Sequence, residues 1–246
     1  MSRGIGHEFM LRTQYRYLER SDQQKGKPRP PFEEPFDESQ PLIPLPDPAS
    51  LDVPDVNLRE LIERRRSVRE YSRQPFTLAE LSYLLWCTQG VREITARGST
   101  LRTVPSAGAR HAFETYLLIN RVQGLEPGLY RFIASRHSLL TVTTHPQIAV
   151  RVTRACLDQD HVAQSAVTFI WVAVPYRMTW RYGERGYRYL HLDAGHVCQN
   201  LYLAAESIGG GVCAIGAFED EAINRLLGLD GEEQFVIYVA TAGKKG

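Results

Sequence analysis

The stretch Arg185-Gly-Tyr-Arg-Tyr-Leu-His-Leu-Asp-Ala-Gly-His-Val-Cys-Gln-Asn-Leu-Tyr-Leu-Ala-Ala-Glu-Ser-Ile208, closed by Gly209-Gly-Gly211, decides the fold. Leu190, Ala194, Val197, Leu201, Ala204, Ala205 and Ile208 recur at steps of three and four, which predicts one long helix over 185–208 with an almost unbroken apolar stripe. The glycines supply its stop, because a residue without Cβ takes the left-handed conformation that ends helices. A helix this apolar belongs at the centre of a molecule or at an interface between copies.

Downstream, 212–215 reads as a strand, 220–227 as a helix and 234–240 as a strand. Upstream, 166–174 is a continuous apolar, β-branched run, the pattern of a strand buried on both faces. A helix is expected over 146–157, and strands over 115–122, 129–133 and 137–143, antiparallel across turn signals such as Gly124-Leu-Glu-Pro-Gly128. Residues 91–110, with Gly98, Pro105 and Gly108, read as loop. Thr77-Leu-Ala-Glu80 has the form of a capping box and starts a helix through Leu81, Leu84 and Leu85 to Gly90. Leu58, Leu61 and Ile62 mark a helix running into the basic turn Arg64-Arg-Arg-Ser-Val-Arg69. Helices and strands mix without strict alternation, so the fold class is α+β.

Nine of the fourteen prolines lie between Pro28 and Pro54, a density that forbids helix and central strand. Residues 1–56 therefore read as an N-terminal segment and proline-rich strap, with a folded domain over 57–246. Phe32, Phe36, Leu42, Ile43 and Leu45 make the strap too apolar for a solvated linker, so it should lie on the body or on a partner subunit. A short helix is expected within 8–18.

Composition narrows the function. With 43% hydrophobic and 23% charged residues and a net charge of +1, the chain has no global basic field of the kind that drives nucleic-acid or membrane-surface binding. The N-terminal Met1-Ser-Arg-Gly-Ile-Gly-His-Glu8 is polar where a secretory signal is apolar, and no stretch approaches the roughly 18 apolar residues of a membrane span, so a cytoplasmic protein is expected. Cys87, Cys156, Cys198 and Cys213 form no paired spacing, and His191 and His196 are five apart, so no metal site is expected. GxGxxG and GxxxxGK[ST] phosphate loops are absent.

Three local signals remain. Arg64, Arg65, Arg66 and Arg69 crowd four guanidinium groups around Ser67, a set that forks onto phosphate oxygens; the alternative is a solvated face balanced by Glu60, Glu63 and Glu70. Pro105-Ser-Ala-Gly108 is a small-residue turn that lets backbone N–H groups approach a flat ligand, or simply a turn. Cys213-Ala-Ile-Gly-Ala-Phe218 is a second small-residue stretch after the long helix.

In order, Arg65-Arg-Ser-Val-Arg-Glu-Tyr71, Pro105–Gly108, the 189–205 helix and 213–218 resemble the FMN-dependent nitroreductase superfamily, and within it the SagB/ThcOx-type azoline dehydrogenases. Pro127-Gly-Leu-Tyr-Arg131 and Leu227-Gly-Leu-Asp-Gly-Glu-Glu233 fit that subgroup, and the resemblance covers about 57–245. It implies a central, mainly antiparallel sheet flanked by helices, with the long helix at a homodimer interface and FMN between the subunits. By position it implies that Arg65, Ser67 and Arg69, with Arg66 beside them, hold the phosphate and ribityl chain. Pro105, Ser106, Ala107 and Gly108 would line the ring from the second subunit. Ile215, Gly216 and Ala217 would meet the ring edge, and Lys244 and Lys245 would close on the phosphate.

Two departures stand out. Ala214-Ile-Gly-Ala217 replaces the Pro-Ile-Gly-Gly of many relatives, and Trp180-Arg181-Tyr182 carries Arg where azoline-oxidising members use a Lys-Tyr base, leaving Tyr182 as the catalytic candidate. A guanidinium is a poor proton acceptor. The expected activity is hydride transfer at flavin N5, with NAD(P)H as a candidate donor and a small-molecule or peptide substrate. The competing expectation is a non-redox accessory subunit that docks a partner through the strap.

Overall fold

A computed structural model describes residues 4–246; Met1-Ser-Arg3 of the N-terminal stretch read above lies outside the described residues. In chain order these form α1 (Ile5–Arg12), β1 (Leu42–Pro44), α2 (Leu58–Arg64), α3 (Leu78–Gln89), β2 (Val91–Ile94), β3 (Thr100–Arg102), β4 (Phe113–Ile119), β5 (Gly128–Ile133), β6 (Ser138–Thr143), α4 (Ile148–Ala155), α5 (His161–Gln164), β7 (Val167–Ala173), α6 (Pro175–Tyr182), α7 (Gly186–Ser207), β8 (Gly210–Ile215), α8 (Asp220–Leu227) and β9 (Phe235–Lys244). Seven strands make one sheet in the order β1-β6-β5-β4-β7-β9-β8, every pair antiparallel.

The sheet is covered on both faces, which explains why β7 reads as an unbroken apolar run. Its Phe169 and Trp171 enter a core shared with Leu81, Leu84, Leu190 and Leu201 of α3 and α7. Ile170 and Val172 point the other way, onto Ile148 and Val152 of α4 and Ile223 of α8. Leu117 and Leu118 of β4 divide between the same two cores. Each large apolar side chain buried in this way contributes about 1.5–3 kcal/mol.

The capping box is formed as expected: the Thr77 side chain accepts the Glu80 N–H, and the Glu80 carboxylate accepts the Thr77 N–H. The long helix is also present, but its apolar stripe packs on its own sheet, with Leu190 and Leu201 wholly buried. The stripe therefore gives no support of its own to a subunit interface. What faces outward is mixed, with Leu192 59% exposed beside His196 and Gln199.

Two expectations need correction, and one helix had no expectation at all. Residues 91–110 are not all loop, since β2 and β3 pair as an antiparallel hairpin with an irregular register. Charged Arg92, Glu93 and Arg102 hide its period. Helix α6 went unread because Arg177 and Arg181 interrupt the apolar pattern of Met178 and Trp180, although Pro175 sits at its first turn, where proline is favoured. The N-terminal helix lies at Ile5–Arg12, and only a short 3-10 turn, Tyr15–Tyr17, occupies the later part of 8–18.

The strap lies on the body. β1 pairs with β6 at the sheet edge, where a proline is tolerated, and Leu45 enters the core. Earlier in the strap, Arg131 donates to the Pro35 carbonyl at 3.1 Å and the Glu34 carbonyl at 2.6 Å. The Glu34 N–H donates to Glu114 at 2.9 Å. Arg177, fully buried, bridges Glu34 at 2.9 Å and Glu114 at 2.7 Å. Burial alone would raise the Glu114 carboxyl, but Arg177, Arg131 and the Glu34 N–H outweigh it and hold the pKa below the ordinary value.

Candidate active site

β8 is an edge strand, and the basic turn is zipped along it. Val68 N–H donates to Val212 O at 2.9 Å, Ser67 bridges Val212, and Tyr71 bridges Lys245. This close docking needs Gly211, where an added Cβ would stand 2.6 Å from Val68 Cγ2. The glycine run read as a helix stop thus has a second task, to let the turn approach.

Docking brings Arg65 and Ser67 to Tyr202 and, through it, to the Ala214 backbone. Arg65 lies over the Tyr202 ring at 5.2 Å, and Ser67 Oγ is 3.0 Å from Tyr202 Oη. The Ala214 N–H, on the open edge of β8, donates to Tyr202 Oη at 2.9 Å. Ile215 is buried, whereas Gly216 and Ala217 are exposed, with the Ala217 carbonyl accepting from Gln159 at 2.9 Å. Among the described residues no ion pair reaches Arg64, Arg65, Arg66 or Arg69, and Glu63 pairs with Arg59 at 2.8 Å instead. The neighbouring acids therefore do not neutralise the cluster. Arg69 sits near enough to the buried His161 that its charge, after burial, helps lower that imidazole's pKa.

The two terminal lysines are differently employed. Lys244 is paired with Glu80 of the capping box and donates to Ile208 O at 3.0 Å, while Lys245 meets Glu206 at 2.6 Å. Both sit near the basic turn through the Tyr71–Lys245 bridge, but their ammonium groups already have carboxylates.

The second half of the site forms around Pro105–Gly108. Ala107 N–H donates to both oxygens of Asp193 at 3.2 Å, and His111 N–H donates to Ser106 Oγ at 2.9 Å. Burial raises the Asp193 carboxyl above its ordinary pKa, opposed by the Ser106 hydroxyl and the Ala107 N–H. Gly108 takes φ +58°, and a Cβ there would run into the Tyr182 hydroxyl. Tyr182 in turn lies edge-on to Tyr189 at 4.8 Å, with the Arg181 guanidinium 5.5 Å over its own ring. Tyr189 Oη accepts from Arg185 at 2.9 Å and sits 3.1 Å from Tyr15 Oη, so the N-terminal segment reaches this half.

The structure thus brings Arg65 and Ser67 to Tyr202 and, through it, to Ala214 ahead of Ile215–Ala217, and separately Tyr182 to Gly108. The halves hang on different stretches of α7, with Asp193 and Tyr202 nine residues, or about 13 Å, apart along its axis. Sequence reasoning missed Tyr202 and Asp193 as organisers. Both lie inside the quoted helix, but no local pattern marked them, because their partners at residues 107, 67 and 214 are set by the fold.

A family model described as the nitroreductase family matches residues 62–244. A protein of Methanocaldococcus jannaschii named as a nitroreductase is 37% identical over 194 residues, covering 79% of this chain and 94% of its own. The trifolitoxin-processing protein TfxB of Rhizobium leguminosarum bv. trifolii is 29% identical over 140 residues, 55% of this chain and 38% of its own. Among solved structures, one from Ralstonia eutropha JMP134, named as a nitroreductase, superposes with a TM-score of 0.68 at 25% identity, covering 89% of this chain and 94% of that one. Another so named, from Anabaena variabilis, gives 0.66 at 31%, covering 77% of this chain and 38% of that one. The NADPH:FMN oxidoreductase of Vibrio harveyi, complexed with NAD+, shares the fold at a TM-score of 0.53 and 17% identity, covering 76% and 68%. The chain therefore spans well under half the length of the Rhizobium and Anabaena proteins.

Proposed function

From the chain's membership of the nitroreductase family, we propose that it is an FMN-dependent oxidoreductase working as a homodimer. The observation that carries this reading is the guanidinium cluster without acidic partners, docked on β8 at Val212 and tied through Tyr202 to Ala214, two residues before the exposed backbone of Gly216 and Ala217. Fixed cations with a hydroxyl fit a phosphate dianion, and the exposed small-residue backbone fits a planar ring edge. The residues present therefore suit FMN.

In this reading Arg65, Ser67 and Arg69 bind the phosphate and ribityl chain, with Arg66 flanking them. Ile215, Gly216 and Ala217 border the ring edge. Pro105, Ser106, Ala107 and Gly108 line the ring from a second copy, held in shape by Asp193. Lys244 and Lys245 could reach the phosphate only by leaving Glu80 and Glu206, so we give them the smaller share of binding. When bound there, FMN would supply the redox chemistry, hydride transfer at N5, with a nicotinamide as the candidate donor. Tyr182 holds a proton at its hydroxyl on the Gly108 side, where a substrate would lie.

Oxidation of a peptide azoline is the second reading, favoured by the similarity to the trifolitoxin-processing protein. Against it stands Arg181, whose guanidinium over Tyr182 cannot serve as the base. The accessory-subunit alternative needs a strap free to dock, and here buried charges hold it to its own body.

The test is the visible spectrum of the purified protein, with the flavin released and identified, followed by anaerobic NADH or NADPH. Bound FMN that bleaches with a nicotinamide supports the reductase cycle. FMN that neither donor reduces favours the azoline reading, and no flavin after reconstitution overturns the proposal. Arg65→Ala combined with Arg69→Ala is expected to abolish flavin retention in a chain that still folds; tight FMN binding by that double variant would sink the phosphate assignment.

A further inference from the structure

We infer that Tyr202 is a positioning residue of this flavin site: it aims the Ser67 hydroxyl proton at the cofactor phosphate and ties that donor to the strand bordering the ring edge. The inference rests on the FMN reading above. Its observation is the triad Ala214 N, Tyr202 Oη and Ser67 Oγ, linked at 2.9 Å and 3.0 Å.

The directions of these bonds follow from their chemistry. The Ala214 amide can only donate, so Tyr202 Oη accepts there. That leaves the phenol's own proton, and the polar group within its reach is Ser67 Oγ. When Tyr202 donates to Ser67, the serine's proton is free to point outward. An anion beside Ser67 selects this arrangement over the reverse one, because only it offers a donor. Each bond in the chain also polarises the next, so the serine becomes a stronger donor than an isolated hydroxyl.

Position supports the same role. Tyr202 stands on α7, Ser67 on the basic turn and Ala214 on β8, so one hydroxyl joins three elements at their meeting point. The Arg65 guanidinium over the Tyr202 ring adds a second tie to the cation cluster. The Ala214 amide it holds is adjacent to Ile215 and Gly216, so occupancy at the phosphate end is coupled mechanically to the ring-edge backbone.

The test is a double-variant cycle in the full chain, using Tyr202→Phe, Ser67→Ala and both together, with dissociation constants measured for FMN and for riboflavin by quenching of flavin fluorescence. Tyr202→Phe is expected to weaken FMN about 3- to 10-fold and riboflavin less than about 2-fold, the loss of one directed donor to a charged group. In the Ser67→Ala background the same change should add less than about 2-fold. Equal losses for FMN and riboflavin, or additive losses in the cycle, would overturn the inference while leaving the flavin reading intact. Failure of the wild-type chain to bind FMN would bring down both. A merely structural tyrosine would lower the melting temperature without discriminating between the two flavins. Ser67→Ala changes an exposed residue, so the cycle stays interpretable even if the tyrosine variant folds poorly.

Discussion

Gly211→Ala tests whether close docking of the basic turn on β8 is what builds the site. The new Cβ would lie 2.6 Å from Val68 Cγ2, 2.7 Å from Val68 Cβ and 3.1 Å from Val68 Cγ1, well inside the roughly 3.5–4.0 Å of an ordinary carbon contact. Val68 cannot slide away for free, because its N–H donates to Val212 O at 2.9 Å. Accommodating the methyl with the turn in place costs about 1–3 kcal/mol of overpacking. Lifting the turn costs about as much, because it loses this hydrogen bond, the Ser67–Tyr202 bond and the Arg65–Tyr202 contact, each worth about 0.5–1.5 kcal/mol, so the turn is displaced in part or in whole. Ser67 and Arg65 then move off Tyr202 and the cation cluster leaves the ring-edge strand. FMN affinity, read by fluorescence titration, is expected to fall about tenfold or more. The melting temperature should drop by only about 2–6 °C in a chain of this size. Adding Val68→Gly deletes all three clashing atoms and should restore part of the affinity. An alanine variant that binds FMN as well as the wild type, or whose defect Val68→Gly does not relieve, refutes the argument.

Glu114→Gln removes the charge that two buried guanidinium groups share, and is expected to destabilise the fold by about 3–5 kcal/mol, with residues 32–36 becoming cleavable by added protease; an unchanged melting curve would count against these charges holding the strap. The Glu114 pKa is lowered in the folded state, so its contribution is complete above about pH 4.3 and is lost as pH falls through the native value. His111 acts in a higher window. Burial, with help from Arg102 and Arg110, pushes its imidazole down to about 3, so the unfolded chain binds the extra proton below pH 6.5 and stability falls by up to about 1.4 kcal/mol per pH unit between 6.5 and 3. Denaturant melts of His111→Gln should show a flatter dependence across pH 4–6.5, and an unaltered slope would remove His111 from the account. Asp193→Ala leaves the Ala107 N–H without its acceptor, and amide exchange at residue 107 should quicken about tenfold relative to β7.

Elements with one dominant cause were legible in the sequence. β7 announces itself because both faces are covered, so every residue is buried and all but Thr168 are apolar. α3 announces itself through a reciprocal cap that needs only Thr77 and Glu80. The β2–β3 hairpin and α6 were not legible, since their backbone is set by neighbours and not by local pattern. Arg177 is the clearest instance. In sequence it is a charge that argues for exposure, yet it is fully buried, and its compensation comes from Glu34 and Glu114, 143 and 63 positions away. No window of residues contains that pairing.

The site divides along the same line. Its charges could be read as a candidate, because four arginines crowd into six residues, but Glu60, Glu63 and Glu70 left a balanced face open until the fold paired Glu63 with Arg59 and, among the described residues, no acid with the cluster. Its organisers could not, because Tyr202 and Asp193 act through contacts with segments far off in the chain. Tyr202 joins residues 67 and 214. Asp193 joins α7 to residue 107, and through Gly108 to Tyr182. On the helical wheel alone both are polar interruptions of an apolar stripe. In the fold they are the points where that stripe gives way to a hydrogen bond that holds another segment, one for each half. The helix that makes the core therefore also sets the spacing of the two halves, so a substitution that rotates or shifts α7 should disturb FMN binding and the Tyr182 side together, whereas changes in the basic turn should spare Tyr182.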